Sequence, residues 1–115
     1  MIRKYEDFKS EIRTKMRDGN GDIRISHILN PADDLKAPVR LFAKLTIEPG
    51  NSIGYHEHMN EEEVFYILKG TAELDDNGSK KIMRTGDVSV TSNAGHSITN
   101  VGSETLEVMA VIMKF

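Results

Sequence analysis

Residues 50–70 read GNSIGYHEHMNEEEVFYILKG and hold two of the four histidines of the chain. Side chains at positions i and i+2 of a β-strand point to the same face, so His56 and His58 are predicted to lie side by side, with Glu57 pointing away. Two imidazoles placed in this way can bind one divalent ion at roughly 2.0–2.2 Å. Glu63 opens the next predicted strand, after a turn at residues 59–61, and can bring a carboxylate to the same interior.

A second interpretation stays open on these residues alone. A pair of histidines separated by one residue is also typical of a solvated strand surface, and Glu61, Glu62 and Glu63 together are typical of a solvated acidic run. Residues 54–63 therefore predict either a surface charge cluster or the first half of a metal site.

The rest of the chain is predicted to be mostly β-structure, because short alternating runs are separated by turn residues. Asn77 and Gly78 suit a tight hairpin turn, which needs positive φ at its centre. Strands at this spacing are typical of a sandwich or barrel. They are predicted at residues 23–29, 39–47, 53–58, 63–68, 71–74, 81–84, 88–91, 97–100 and 104–114.

The N-terminal segment has a different pattern. Tyr5, Phe8, Ile12 and Met16 are three or four residues apart, which predicts a short amphipathic helix over residues 3–17. The glycine-rich DGNG at 18–21 ends it. We therefore expect an N-terminal helical arm over residues 1–22 and a barrel domain over residues 23–115.

Composition excludes several classes of protein. The chain has 115 residues, a net charge of −3 and no cysteine, so thiol catalysis, disulfides and thiolate metal sites are excluded. The sequence pI near 5.8 gives no basic footprint for nucleic acid. No apolar run is long enough to span a membrane, and the charged N-terminus lacks the apolar region of a secretory signal. We expect a cytoplasmic protein with no nucleic-acid or membrane partner.

The spacing around the histidine pair resembles the first motif of the cupin superfamily. A glycine, five residues, HxH, four residues, a glutamate, six residues and a glycine run from Gly50 to Gly70. Residues 86–100, GDVSVTSNAGHSITN, resemble the second cupin motif, with His96 and Asn100 at its polar positions. The resemblance covers roughly residues 38–114 and is strongest to small bacterial single-domain cupins of the oxalate-decarboxylase-like group.

That resemblance implies an all-β double-stranded β-helix, a jelly-roll barrel, preceded here by the short N-terminal helix. It makes His56, His58, Glu63 and His96 the metal ligands and Asn100 a structural polar residue. Gly50, Gly70 and Gly86 become turn glycines. The cofactor is then a divalent transition metal, with Mn, Fe, Ni, Co and Zn all compatible with imidazole and carboxylate ligands.

The function implied by the resemblance is that of a metal-dependent enzyme, of dioxygenase, decarboxylase or isomerase type, acting on a small carboxylate or sugar-like molecule. The alternative is a non-catalytic binding protein whose metal anchors a ligand or braces the barrel. Similar decarboxylases carry an arginine just before the histidine pair, where this chain has NSIGY. Arg40 and Lys44, on the preceding strand, are the candidates to replace it.

Other residues have simpler interpretations. His27 is expected to be a surface or hydrogen-bonded polar residue, and Phe65 a wall of the pocket on the same face as Glu63. The last predicted strand is apolar on both faces, with Leu106 and Val108 on one and Met109 and Val111 on the other. Together with the amphipathic residues 3–17, this predicts a homodimer.

Overall fold

The computed structural model describes all 115 residues and consists mainly of eight β-strands. Three helical turns accompany them: 3-10 turns at Tyr5–Asp7 and Met16–Asp18 and an α-helical turn, α1, at Pro31–Asp34. No helix is long and apolar enough to cross a membrane. The strands are β1 Lys9–Thr14, β2 Asp22–Leu29, β3 Val39–Ile47, β4 Ser52–Lys69, β5 Thr71–Asp76, β6 Ser79–Arg84, β7 Val88–Asn100 and β8 Leu106–Lys114.

All strands join one antiparallel sheet in the order β1-β2-β3-β8-β4-β7-β5-β6. The sheet folds over, so that side chains from both halves meet in a single core of fifteen buried residues. Ile23 and Ile47 from one half and Ile67 and Ile98 from the other are at most 1% exposed. Burial of side chains of this size stabilises the fold by about 1.5–3 kcal/mol each. The predicted all-β barrel is confirmed.

Tight turns set the register of the barrel. Asn77 and Gly78 have φ values of 50° and 96° and connect β5 to β6 as a two-residue hairpin, as predicted. Gly70 and Gly86 have φ values of 98° and 93°, a region that glycine adopts without steric cost. The backbone N–H of Gly86 donates to the Ile67 carbonyl at 2.8 Å, which ties the turn before β7 to β4.

The predicted helix over residues 3–17 is wrong beyond its first turn. Residues 9–14 form strand β1, which pairs with β2 from Lys9↔His27 to Thr14↔Asp22. Main-chain pairing to an existing strand outweighed the weak local helical pattern of so short a segment. Ile12, taken as part of an apolar helix face, is 50% exposed. The predicted boundary after residue 22 falls at the first residues of β2.

The predicted breaks within β4 and β7 are also wrong. Residues 53–68 belong to one strand, as do residues 88–100. Each strand instead contains an irregularity where the turn was expected, with Asn60 at φ 61° and Asn93 at φ 47°. The backbone N–H of Asn60 donates to the Asn93 side chain at 2.8 Å, so the two irregularities face each other.

Candidate metal centre

Strands β4 and β7 bring three imidazoles and one carboxylate together. His56 pairs directly with His96 across the two strands, and His58 lies two residues further along the same face. The Nε2 atom of His58 is 3.1 Å from the Nε2 atoms of both His56 and His96. The Oε1 atom of Glu63 is 2.9 Å from Nε2 of His58 and 3.0 Å from Nε2 of His96. Their four ligand atoms all lie within 4.8 Å of one another.

The irregularity in β4 explains how Glu63 reaches this group. Glu63 lies five positions after His58, and in a regular strand an odd step would place it on the opposite face. His58 pairs with Ala94 and Glu62 with Ser92, so three residues of β4 oppose the single Asn93 of β7. The backbone also turns at Asn60 and Asn93, which have positive φ. The alternation is reversed beyond this bulge, and the Glu63 side chain points inward and is only 4% exposed.

The outward-facing nitrogens of the three rings are all hydrogen-bonded. The Nδ1–H of His56 donates to the carbonyl of Gly54 at 2.7 Å, and the Nδ1–H of His58 donates to Oε2 of Glu61 at 2.6 Å. Nδ1 of His96 lies 2.9 Å from the hydroxyl of Thr91. A carbonyl and a carboxylate only accept hydrogen bonds, so in neutral His56 and His58 the proton is on Nδ1 and the lone pair of Nε2 faces inward.

These inward atoms have the chemistry of a cation site. The Nε2 lone pairs and the Glu63 carboxylate face one another at 2.9–3.1 Å, an arrangement that a positive ion among them would stabilise. Neighbouring ligands of one ion with bonds of about 2.1 Å lie about 3.0–3.4 Å apart, so these atoms are close enough to share an ion.

Burial and neighbouring charges shift the pKa values of these groups in opposite directions. Burial, assisted by the other histidines, lowers the pKa of His56, which favours the neutral ring that a metal needs. The Glu63 carboxylate, which can accept a hydrogen bond from the protonated ring only, raises the pKa of His58. Burial by itself would raise the pKa of Glu63, but the neighbouring His58 and His96 rings outweigh it and the pKa is lowered. The carboxylate is therefore ionised beside the rings.

Glu61 is part of this arrangement, so the alternative interpretation of residues 61–63 as a solvated acidic run does not hold for it. Its side chain is 14% exposed and lies between His58 and Arg40. Both carboxylate oxygens accept hydrogen bonds from Arg40, at 2.9 and 2.7 Å. The Arg40 guanidinium first, and His58 second, lower the pKa of Glu61 to about 2. Glu61 thus fixes the ring orientation of His58, as carboxylates beside metal-binding histidines commonly do.

The cluster opens into a cavity of about 110 Å³. Phe65 forms one wall, as predicted, and stacks on the ring of His96 with centroids 4.8 Å apart. The volume is well below the roughly 300–1,000 Å³ of pockets for drug-sized ligands. The cavity is lined by Arg13, Met16, Arg17, Ile25, His27, Arg40, Leu41, Leu45, Ile53, His56, His58, Glu63, Phe65 and Ile112.

Basic side chains dominate the charge of this lining. Arg40 faces the cavity, whereas Lys44 lies elsewhere and pairs with Glu107 at 3.1 Å. Arg13 and Arg17, from the segment mispredicted as a helix, line the same cavity. Glu63 is the one acidic residue of the lining. The space beside the cluster is therefore suited to an anion.

Two further residues considered in the sequence analysis, Asn100 and His27, lie outside the cluster. The Asn100 amide is 1% exposed and donates to the carbonyls of Ile47 and Glu104 at 2.8 and 2.9 Å, so it holds the connection before β8. His27 is hydrogen-bonded to Glu11 at 3.0 Å, as expected of a satisfied polar residue, but it also lines the cavity.

Sequence reasoning missed Thr91, Arg13 and Arg17. The Thr91 side chain is 2% exposed and faces His96 only because β7 is irregular between them, which strict alternation cannot predict. Arg13 and Arg17 reach the cavity only because β1 pairs with β2. Gly54 was the one available signal, because a glycine within a strand often marks the close approach of another segment.

Comparison with known proteins agrees with this geometry. The Cupin domain family model matches residues 43–112, more than half of the chain. An oxalate-binding protein of Thermotoga maritima is 37% identical over 98% of this chain and 93% of its own length. The crystal structure of a predicted oxalate decarboxylase from Thermotoga maritima is 36% identical, covers all of both chains and superposes with a TM-score of 0.93. A polyketide cyclase of Streptomyces resistomycificus, 19% identical over 99% of this chain and 79% of its own, has a TM-score of 0.76 and shares the fold.

Proposed function

The chain belongs to the cupin family, and from this premise we propose that it is a metal-dependent protein that binds a small dicarboxylate such as oxalate. The observation that carries the proposal is the joining of a buried three-histidine, one-glutamate cluster to a small cavity lined by three arginines. The name of the Thermotoga oxalate-binding relative supports the ligand class.

His56, His58, Glu63 and His96 are the residues that would hold a divalent transition ion. Mn, Fe, Ni, Co and Zn all accept imidazole and carboxylate ligands. When bound, such an ion supplies a Lewis acid for carboxylate oxygens. The protein's part is to keep Nε2 of each histidine turned inward through the hydrogen bonds at Nδ1.

Charge and size select the ligand. Three guanidinium groups and one carboxylate line the cavity; Arg40 and Arg13 are paired with Glu61 and Glu11, so the positive charge left for a ligand is that of Arg17 and of the bound ion. A dianion of about six non-hydrogen atoms suits both that charge and the cavity of about 110 Å³. The apolar wall of Leu41, Leu45 and Phe65 excludes water and strengthens ionic contacts with such a ligand.

Binding rather than turnover fits the side chains beside the cluster. Glu61 is ionised, with its pKa at about 2, and both of its oxygens are engaged by Arg40. His27 is hydrogen-bonded to Glu11. Apart from His27, no side chain next to the cluster is free to act as the acid or base that proton transfer to or from a substrate needs.

The test is a calorimetric titration in two stages. Protein freed of metal with a chelator is titrated first with Mn²⁺ and then, once loaded, with oxalate. We expect one Mn²⁺ per chain and oxalate binding that requires it. Glu63→Gln should lose both, while Arg24→Gln, which removes an exposed charge outside the cavity, should keep both. Oxalate binding that is equally tight without metal, or absent with it, would contradict the proposal.

The same loaded protein separates binding from catalysis. Incubation with oxalate and a panel of small carboxylates and sugars, with and without O₂, should leave them unchanged. Release of CO₂, consumption of O₂ or an isomerised product would instead establish the decarboxylase, dioxygenase or isomerase alternative.

We further propose that the protein is a cytoplasmic homodimer that joins through the outer face of its sheet. Phe42, Val111, Val64 and Val90 form one continuous row across β3, β8, β4 and β7, and Val90 is 57% exposed. Light scattering should give twice the chain mass of 12.9 kDa, and Val90→Lys should reduce it toward a single chain. A wild-type mass near 13 kDa at micromolar concentration would refute the dimer. Recovery of the protein in a membrane or secreted fraction would refute the location.

A further inference from the structure

The segment Lys15–Asn20, here called the strap, runs from the end of β1 across β4 beside the cluster. Its backbone touches β4 where glycines leave no side chain in the way. A Cβ atom at Gly54 would lie 1.9 Å from the Arg17 carbonyl oxygen, and one at Gly19 would lie 2.2 Å from the Ser52 carbonyl oxygen. Close approach of two backbones is a main use of glycine within strands. The strap is therefore docked on the protein.

Three residues of the strap have an unfavourable backbone conformation. Lys15, Arg17 and Asp18 have φ values of 51°, 55° and 63°, a left-handed region that residues with side chains seldom adopt. Hydrogen bonds keep them there: the N–H of Lys15 donates to Gly21 at 2.9 Å and the N–H of Asp18 donates to Lys15 at 3.0 Å. The N–H of Ser52 donates to Asn20 at 2.9 Å and joins the strap to β4. Strain maintained in this way is typical of functional positions.

Arg17 of the strap is exposed and is one of the residues that line the cavity. Arg17 makes no ion pair with an acidic side chain, unlike the other two arginines of the lining. Arg40 donates two hydrogen bonds to Glu61, so one edge of its guanidinium already binds a carboxylate. Arg13 gives its Nε–H to Glu11 at 2.6 Å. The full guanidinium of Arg17 remains available for a ligand.

We infer that Arg17 determines ligand specificity, by binding the second carboxylate of a dicarboxylate whose first carboxylate is at the metal. The inference rests on the proposed function and adds the residue that distinguishes two carboxylates from one. A guanidinium matches a carboxylate with two parallel N–H donors. The docked, hydrogen-bonded strap fixes the backbone from which the Arg17 side chain extends, which reduces the entropy lost on binding.

The experiment compares oxalate with acetate on Mn²⁺-loaded protein by calorimetry. Arg17→Gln should weaken oxalate binding roughly 10- to 100-fold, the effect of losing hydrogen bonds to a charged group, and should leave acetate binding unchanged. Arg17→Lys, which keeps the charge but not the planar fork, should fall between. Arg24→Gln carries the same charge change on β2, outside this cavity, and should behave as the wild type.

A second variant moves the backbone instead of the side chain. Gly19→Ala places a methyl group against Ser52 and should displace the strap, so that oxalate loses its advantage over acetate while Mn²⁺ still binds with wild-type affinity. Mn²⁺ affinity and the melting curve are measured for each variant, because a structural role for Arg17 would move those and leave the oxalate-to-acetate ratio alone.

The outcomes separate the two proposals. A wild-type protein that binds Mn²⁺ but no oxalate overturns the proposed function and this inference with it. A wild-type protein that binds oxalate, with an unchanged oxalate-to-acetate ratio in Arg17→Gln, overturns the inference alone. Equal weakening of oxalate and acetate also overturns it, because Arg17 would then act by general attraction of anions.

Discussion

Two regions of the barrel interior are built by the same strands but differ in the partners that their buried side chains have. In the apolar core, Ile67 of β4 and Ile98 of β7 contact other apolar side chains and need no further partner. In the polar cluster, His58 of β4 and His96 of β7 have hydrogen bonds at their outward nitrogens, while their inward atoms face Glu63 and each other. The core stabilises the fold by itself, whereas we propose that the cluster reaches its full stability only with a cation, which would link metal binding to folding.

The largest expected change in stability comes from a substitution in the apolar core. Ile67→Ala removes a fully buried side chain and should lower the free energy of unfolding by about 2–5 kcal/mol, measured by urea denaturation of the metal-free protein. Val101→Ala, at a position that is 47% exposed, should change it by less than about 0.5 kcal/mol. Metal affinity of the folded Ile67→Ala protein should stay near that of the wild type. A large loss of metal affinity would show that the two regions are not separate.

The next largest change in stability is expected from a substitution in the polar cluster. His58→Ala should abolish the rise in melting temperature that Mn²⁺ gives the wild type, a stabilisation of about 2.7 kcal/mol at a free metal concentration one hundred times the dissociation constant. His27→Ala removes an imidazole that lines the cavity outside the cluster and should retain the rise. If His58→Ala still melts at the metal-raised temperature, His58 is not a ligand.

Glu61 lies outside the ligand set and sharpens the comparison. Glu61→Gln weakens the acceptor for Nδ1–H of His58 and should reduce Mn²⁺ affinity roughly 10- to 100-fold, measured by competition with a chelator. Glu62→Gln is the matched control, because it removes the same charge from the adjacent residue of β4 and should leave the affinity unchanged. If the two substitutions lowered Mn²⁺ affinity equally, Glu61 would act only through its charge and not through its hydrogen bond to His58.

A smaller effect appears in acid. The pKa of Glu61 is lowered from an ordinary 4.5 to about 2, mainly by Arg40, so the pair stabilises the folded state above pH 4.5 and this stabilisation is lost as the pH falls through about 2. Glu61→Gln should therefore flatten the fall in melting temperature of the metal-free protein in that window. The difference should be about 1 kcal/mol, because Arg40 is partly exposed and solvent screens the pair. A wild-type acid profile in Glu61→Gln would contradict this.

Local pattern in the sequence predicted the β-strands of the barrel and the pairing of His56 with His58 on one face, whereas the full set of His56, His58, Glu63 and His96 was implied by the resemblance to the cupin motifs. Strand alternation and turn residues are local signals, and here they agree with the fold. Arg17 and Glu61 were not predicted as part of the site, because their places depend on long-range features. Arg17 needs the pairing of β1 with β2, and Glu61 needs the bulge opposite Asn93. The helical spacing of Tyr5, Phe8, Ile12 and Met16 was misleading for the same reason, since sheet pairing decided the conformation of residues 9–14.

The most direct test of the central claim is X-ray absorption at the Mn edge of protein carrying one equivalent of Mn²⁺. We predict six nitrogen and oxygen neighbours at about 2.1–2.2 Å and multiple scattering from three imidazole rings. In His58→Ala, the multiple scattering should correspond to two rings. A spectrum with oxygen neighbours and no imidazole scattering would place the ion elsewhere and contradict the claim that the buried cluster is the metal centre.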